Sequence, residues 1–307
     1  MNEKKNTYTE LTLVELFDAI IKQKWLLISI TIIFTLGACI YAINLPNKYK
    51  SASLLQVSGM SSGSVMQGNS LGGFAALAGI DFGGGQVDES VIATELLQSR
   101  DFVDFLIKNN QEFIPFLMAY KKFDFKNKVD NFNSDIYDIK NKDWINSAPA
   151  FEDIYLTYLS AVTVKRDLES GLIILEVEHE SQNFAFNLAR KIISEVNNID
   201  RARDYEEAQK SLQYLNNELA KANLFELKSS INQLALSQLE KVMLTEVRDY
   251  YLLSPIESPY YPERRSSPVR RNIAIGGTIL GLLFSIFIIV AIHIYKTRIR
   301  LSNNKEF

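Results

Sequence analysis

Two long apolar stretches, one near each end of the chain, constrain the fold more than any other feature of the sequence. Residues 25–45 and 273–295 contain no Asp, Glu, Lys or Arg. A helix of about 20 such residues, rising about 1.5 Å per residue, crosses a bilayer core of about 30 Å. The sequence therefore predicts two transmembrane helices, over residues 25–45 and 272–295, that bracket one large polar domain over residues 46–271.

Charge is distributed unevenly between this domain and the two tails. The chain has 33 Lys+Arg and 36 Asp+Glu; tails 1–24 and 296–307 hold 8 basic and 5 acidic side chains, and the domain holds 25 and 31. Short basic tails stay in the cytoplasm, whereas a long loop has little influence on orientation. We therefore expect both termini in the cytoplasm and the domain in the periplasm.

The only cysteine, Cys39, lies inside the first apolar stretch, so the outer domain must fold without disulfides. The tetrad at 36–39 resembles a lipoprotein cleavage box. However, the apolar run continues past the cysteine, and a second anchor would make a lipid redundant. We predict an uncleaved span, preceded by a short amphipathic helix over residues 11–24 that begins with a capping box of Thr12 and Glu15.

Between the spans, the sequence pattern predicts both helices and strands. Alternating polarity predicts strands over residues 49–57, 161–165 and 172–179, and helical spacing predicts helices over residues 91–109 and 151–159. The glycine-rich segment 58–86 has the composition of a loop. Its apolar island, residues 74–80, is expected to touch the membrane surface or a partner.

A run of 83 residues without glycine or proline, from 172 to 254, predicts a long helical arm over residues 182–251. Coiled-coil-like spacing makes Leu212, Leu215 and Leu219 candidate contacts between copies of the chain. One unbroken rod of roughly 100 Å would leave only about 20 residues, or at most about 70 Å, for the return to the membrane. Two alternatives stay open: a hairpin that reverses at residues 216–223, or a rod that runs back toward the membrane from above.

The approach to the second span is rich in proline and arginine. Four prolines keep the Pro-rich return, residues 254–271, from forming a helix, so it can lie beside the strand at 49–57. The arginines are candidates for contacts with lipid phosphates at the membrane surface, a polyprenyl pyrophosphate among them, with ordinary headgroup anchoring as the simpler alternative. They are Arg264, Arg265, Arg270 and Arg271.

Small residues recur every four positions along the second span, at Gly277, Gly281 and Ser285. This spacing allows close approach of helices in lipid. We interpret the stripe as a transmembrane packing face for another copy of the chain or for a partner protein.

No arrangement of residues indicates catalysis. His179 is the only histidine between the spans, and no cysteine accompanies it there. A His/Cys metal site or a Cys-His nucleophile is therefore excluded from residues 46–271. In a strand, His179 and the flanking Glu176 and Glu178 point to opposite faces, which favours a solvated acidic strand edge over a metal site. The sequence predicts no catalytic residue, no cofactor site and no metal site.

Taken in order, these features resemble the Wzz-type chain-length determinants, the class 1 polysaccharide co-polymerases that lack a kinase domain. The resemblance is carried by the entry segment LTLVELFDAIIKQKW at 11–25, by residues 97–102, by the turn and strand at 170–179, by spaced residues of the long helix, and by Pro-Val-Arg-Arg at 268–271. The spaced residues are Ala185, Ile193, Asn197, Arg201, Tyr214, Leu215, Leu219 and Leu227. Two departures are Ser181-Gln182 at the helix start, where the family has Asp/His-Pro, and a final span without proline.

The resemblance implies an α+β periplasmic domain between two transmembrane helices, with a small mixed-sheet base and a very long, coiled-coil-like helical arm. It implies a homo-oligomeric ring in the inner membrane that is not an enzyme and needs no cofactor. Its role would be to set the modal length of O-antigen, in lipopolysaccharide biosynthesis, or of a related polysaccharide. The implied partners are other copies, a Wzy-type polymerase, the undecaprenyl-pyrophosphate-linked polymer and membrane lipids, but no nucleic acid.

Three other classes of function compete with this one. A membrane adaptor of a capsule or exopolysaccharide tyrosine-kinase export system shares the two-span frame but needs a P-loop kinase, and the 12 residues after the second span leave no room for a fused one. A two-span sensor needs a cytoplasmic output domain, for which the tail is too short. A glycan-cleaving enzyme needs a placed pair of carboxylates, which the sequence does not indicate.

Overall fold

The computed structural model describes residues 21–58, 89–124, 129–222 and 224–303. It divides into two compact units, one formed by Met1–Asn47 with Ser266–Phe307 and the other by Lys48–Arg265. Most of the predicted amphipathic helix at 11–24, including its capping box, lies outside the described residues. The glycine-rich segment beyond residue 58, with its apolar island, lies outside them as well.

Eight helices and nine strands are assigned within the described ranges. The helices are α1 Lys24–Asn44, α2 Glu89–Gln98, α3 Arg100–Asn109, α4 Phe113–Ala119, α5 Phe151–Ala161, α6 Gln182–Lys221, α7 Phe225–Val247 and α8 Arg270–Asn303. The strands are β1 Lys48–Val57, β2 Tyr120–Asp124, β3 Val129–Phe132, β4 Tyr137–Asp138, β5 Asp143–Trp144, β6 Val162–Arg166, β7 Ile173–His179, β8 Leu253–Glu257 and β9 Arg265–Ser267.

The sheet of the second unit has the strand order β6-β7-β1-β8. All three pairings along this path are antiparallel, so the mixed sheet implied by the resemblance is not seen along it. The predicted position of the Pro-rich return, beside the strand at 49–57, is confirmed, because Pro255 of β8 lies opposite Leu55 of β1. A proline is tolerated there because β8 is the last strand of the path, where a missing N–H breaks no inner ladder.

The core of the second unit lies between this sheet and the first half of α6. Burial alternates along β7, where Ile173, Leu175 and Val177 are fully buried. Leu188 and Ile192 of α6, one helical turn apart, are also fully buried and belong to the same core cluster. Each such side chain contributes about 1.5–3 kcal/mol of burial free energy, so the packing of α6 on the sheet stabilises this unit.

The predicted strands at 49–57, 161–165 and 172–179 are confirmed as β1, β6 and β7, and the helix at 151–159 is confirmed as α5. The single helix predicted at 91–109 is wrong, because the chain forms α2 and α3 instead. Ser99 between them has extended backbone angles, and its hydroxyl accepts a hydrogen bond from the Phe102 N–H at 3.2 Å. An N-cap of this kind starts a new helix, so α2 ends where α3 begins.

The long helical region is a hairpin, the first of the two alternatives left open by the sequence. α6 ends at Lys221 and α7 begins at Phe225, so the chain reverses at the end of the indicated segment 216–223. The two helices are antiparallel: Lys241 Nζ of α7 lies 3.4 Å from Asp204 Oδ2 of α6. Nearer the sheet, Arg201 donates to the carbonyl of Arg248 at 2.7 Å.

One buried amide, that of Asn197, ties α6 to the start of β8. Its nitrogen donates to the carbonyls of Ile193 and Leu253, at 2.7 and 2.9 Å. Its oxygen accepts from the N–H groups of Leu252 and Leu253, at 2.7 and 3.0 Å. An amide offers two donors and two acceptor lone pairs, so the hydrogen-bonding capacity of this buried group is fully used.

Replacing Asn197 by Asp should therefore destabilise the second unit by about 2–4 kcal/mol, because a carboxylate would face two carbonyl oxygens that have lost their donor. The free energy of unfolding of the full chain in detergent, followed by circular dichroism, measures this loss. Gln213→Ala is the matched control, since Gln213 is exposed on the same helix and should change stability by less than about 0.5 kcal/mol. Equal stabilities of the two variants would contradict the role assigned to the amide.

Candidate functional site

Two glycines allow α8 to approach α1 closely within the first unit. A Cβ added at Gly281 would lie 2.7 Å from the Cβ of Phe34, and one added at Gly277 would overlap the Cβ of Ala38. Real Cβ atoms do not approach this closely, so larger residues at these two positions would push the helices apart.

The buried face of α8 continues along the same stripe. Ser285 and Ile289, the next positions at the four-residue spacing, are fully buried. Thr278 and Thr35 face each other across the two helices, with their hydroxyl oxygens 3.0 Å apart. The candidate packing residues thus line one face, and that face meets the first span of the same chain. The spacing in the sequence indicated another copy or a partner protein, and contacts with either of these stay a prediction.

A leucine at Gly277 should separate the two spans, whereas a leucine at the neighbouring Gly276 should not, because nothing lies within 4 Å of a Cβ added there. The separation can be measured by oxidative cross-linking of Thr35→Cys with Thr278→Cys in a Cys39→Ala background. We expect rapid intrachain cross-linking, seen as a mobility shift on non-reducing gels, that falls several-fold with Gly277→Leu only. Equal cross-linking in the two leucine variants would contradict the packing.

The four candidate arginines divide between the two units. Arg264 and Arg265 are exposed in the second unit, and Arg271 is exposed in the first. Arg270 is half-buried and donates to the side-chain oxygen of Asn47 at 3.2 Å, which joins the start of α8 to the end of the segment that follows α1. Arg270 therefore has a structural partner, while contacts of all four arginines with lipid phosphates remain a prediction.

The candidate oligomer contacts on α6 are half-buried within one copy of the chain. Leu212, Leu215 and Leu219 lie on the helix that packs along α7. The more exposed apolar surface belongs to α7, which the heptad spacing did not indicate. Its exposed large apolar side chains are Phe225, Leu227, Leu234, Leu236, Leu239, Met243 and Val247. At helical spacing, Phe225, Leu236, Leu239, Met243 and Val247 fall on one side of α7, and exposed apolar surface of this kind is typical of protein–protein contacts.

The acidic side chains of β7 do not lie at the edge of the sheet, so the predicted solvated acidic strand edge is wrong. β7 is an inner strand, between β6 and β1. Glu176 lies between two lysines of the neighbouring strands, with its carboxylate oxygens 3.1 Å from Lys50 Nζ and 3.9 Å from Lys165 Nζ. Cross-strand pairs of opposite charge stabilise a sheet, so this glutamate has a structural role.

His179 lies in a cage of aromatic rings and is held neutral. Its Nδ1 accepts from the Ser181 N–H at 3.0 Å, so Nε2 carries the proton and donates to the Phe116 carbonyl at 3.0 Å. The rings of Tyr120 and Phe184 contact it, with centroids 5.0 and 4.6 Å away. Burial lowers the pKa of His179 to about 4. The imidazole therefore joins β7 to α4 and to the start of α6.

The pKa of His179 makes stability depend on pH. Above about pH 6.5 the imidazole is neutral in both the folded and the unfolded chain. As the pH falls from 6.5 toward 4, only the unfolded chain takes up a proton, so the free energy of unfolding should fall by up to about 3 kcal/mol. Denaturant unfolding of wild type and His179→Gln gives the free energy of unfolding at each pH in this range. The wild-type value should fall more steeply with pH than that of the variant. An equal fall in the two proteins would contradict the role of His179.

Within the ranges that the structure describes, no group of three or more His, Cys, Asp or Glu side chains is placed to hold a metal ion. The fold defines a class of protein: an α+β unit flanked in sequence by two helices long and apolar enough to cross a membrane, Lys24–Asn44 and Arg270–Tyr295. Length and composition alone support these two spans.

Comparison with models of known protein families gives a match for part of the chain. The family model Wzz, described as chain length determinant protein, matches residues 9–110. This match confirms, over residues 9–110, the resemblance to the Wzz chain-length determinants that was drawn from the sequence. Comparison with curated proteins gives no match.

A solved structure described as a "full-length bacterial polysaccharide co-polymerase" aligns with 93% of this chain and 99% of its own, at 12% identity and a TM-score of 0.38. A likeness this distant adds nothing to the match of residues 9–110 with the family model.

Proposed function

We propose that the protein is a polysaccharide co-polymerase of the bacterial inner membrane that sets the modal chain length of O-antigen or of a related surface polysaccharide made by a Wzy-type polymerase. The observation that carries the proposal is the chain-length determinant match over residues 9–110, which includes α1, β1, α2 and α3. The protein acts as a scaffold and performs no covalent chemistry itself.

In this proposal α1 and α8 span the inner membrane and both termini lie in the cytoplasm. Residues 46–271 then lie in the periplasm, and residues 1–24 and 296–307 form the cytoplasmic tails. The length and apolarity of the two helices support this topology, as do the basic residues of the tails.

The proposed scaffold is a homo-oligomeric ring. The exposed apolar side chains of α7 support contacts between copies, because an apolar surface of this extent is costly to leave in water. Leu212, Leu215 and Leu219 would contribute where copies meet along α6. The proposed arginine contacts, at the membrane surface, would be made with lipid headgroups and with the pyrophosphate of the lipid-linked polymer.

Deletion of the gene should abolish the modal length while polymer is still made, because a scaffold that regulates length is not needed for bond formation. Electrophoresis of the surface polysaccharide measures this as a ladder that loses its clustered band. The wild-type gene, supplied in trans, should restore the cluster. Loss of all polymer would instead favour an adaptor in capsule or exopolysaccharide export, and an unchanged ladder would contradict both functions.

Complementation with His179→Gln separates a scaffold from an enzyme. If the variant folds, it should restore the modal cluster, since His179 is proposed to hold structure and not to react. A folded His179→Gln protein that fails to restore the cluster would contradict the non-catalytic scaffold.

A further inference from the structure

Two neighbouring cavities open on the second unit beside α4. Their volumes are about 640 and 440 Å³, and the residues Glu112 and Phe116 line both of them. Each volume falls within the range of small-molecule sites. The two cavities adjoin at these shared residues, and we call the pair the α4 groove. Two adjoining cavities can each hold one unit of an extended ligand.

Aromatic rings follow the groove from the core to the surface. Phe116 and Phe184 stack with centroids 4.9 Å apart and planes 2° from parallel. Phe132 contacts both Phe116 and Tyr137, and Tyr137 contacts Trp144, with centroids 4.9, 5.9 and 5.0 Å apart. The electron-rich face of such rings attracts polarised C–H groups, and a pyranose ring presents a face of such C–H groups.

Short polar side chains also form part of the wall of the groove. Asn183, Asn187 and Ser194 are exposed on one face of α6 and line the larger cavity. Gln111 adds a further amide at the smaller cavity. Amides both donate and accept hydrogen bonds, as do hydroxyl groups, so this wall matches a ligand that carries many hydroxyls.

The charges that line the groove are of both signs. Glu112 and Asp130 are acidic, and Lys142, Arg190 and Lys191 are basic. Lys191 Nζ lies 3.6 Å from Glu195 Oε1, so part of that basic charge is already balanced. A groove for a nucleic acid or a polyphosphate would be uniformly basic, whereas this one is not.

We propose that the α4 groove binds a stretch of the growing polysaccharide, with sugar rings against the aromatic residues and hydroxyls against the amides of α6. The inference rests on the proposed function, which says which polymer is present. The side chains of the groove indicate that the ligand is a carbohydrate. It would place a direct contact with the glycan on the base of each copy, beside α4 and the first turns of α6.

The chain carries its own reporter for this contact. It has two tryptophans, Trp25 in the first span and Trp144 in the groove. In full-length Trp25→Phe protein in detergent, emission therefore comes from Trp144 alone. The probe is surface polysaccharide released by mild acid from the strain that carries the gene, separated by length. We expect a saturable change in emission, with dextran as a comparison polymer that binds at least tenfold more weakly.

Asn187→Ala should weaken this binding about fivefold, because one amide–hydroxyl contact is lost at an exposed position that does not threaten folding. Gln213→Ala, also exposed on α6 but outside the groove, should leave the affinity unchanged. Absence of a saturable signal would overturn the inference, and so would equal affinity for dextran or equal affinity of the two alanine variants.

Failure of this inference can be told apart from failure of the proposed function. If gene deletion abolishes the modal length but Trp144 does not respond to the polysaccharide, the groove is wrong and the function stands. If Trp144 responds as expected but deletion leaves the ladder unchanged, the function is wrong and the groove stands.

Discussion

The architecture of the second unit depends on the buried amide of Asn197. Its four hydrogen bonds fix the backbone of Leu252 and Leu253, where the chain returns from the helical hairpin and becomes β8. β8 then pairs with β1, and β1 pairs with β7, so the position of the hairpin and the register of the sheet are set together. A side chain less than 5% exposed thus joins the two halves of the unit.

The parts of the fold that could be predicted are those with a local physical cause. Strands β1, β6 and β7 were predictable because one face of each is buried, so apolar and polar residues alternate along the sequence of each strand. The break at Ser99 also has a local signal, a serine followed by Asp101 in the first turn of α3, but the apolar spacing on either side concealed it.

Other features depend on contacts between distant residues, which one sequence does not reveal. The reversal after Lys221 involves no glycine or proline, so only the fit of α7 against α6 selects it over a rod. The small-residue stripe of α8 was visible, but its partner, α1, lies more than 200 residues away. The α4 groove was not visible at all, because its aromatic residues come from α4, β3, β4, β5 and α6.

The hairpin makes the reach of the arm independent of the base. Its two legs leave and rejoin the sheet at neighbouring points, marked by Asn197 and Leu253, while the reversal lies at the far end. Adding matched turns to both legs near residues 222–224 would lengthen the arm by about 5.4 Å per turn without altering a contact of the sheet. Homologous chains can therefore acquire arms of different lengths by paired insertions, with the same core retained in all of them.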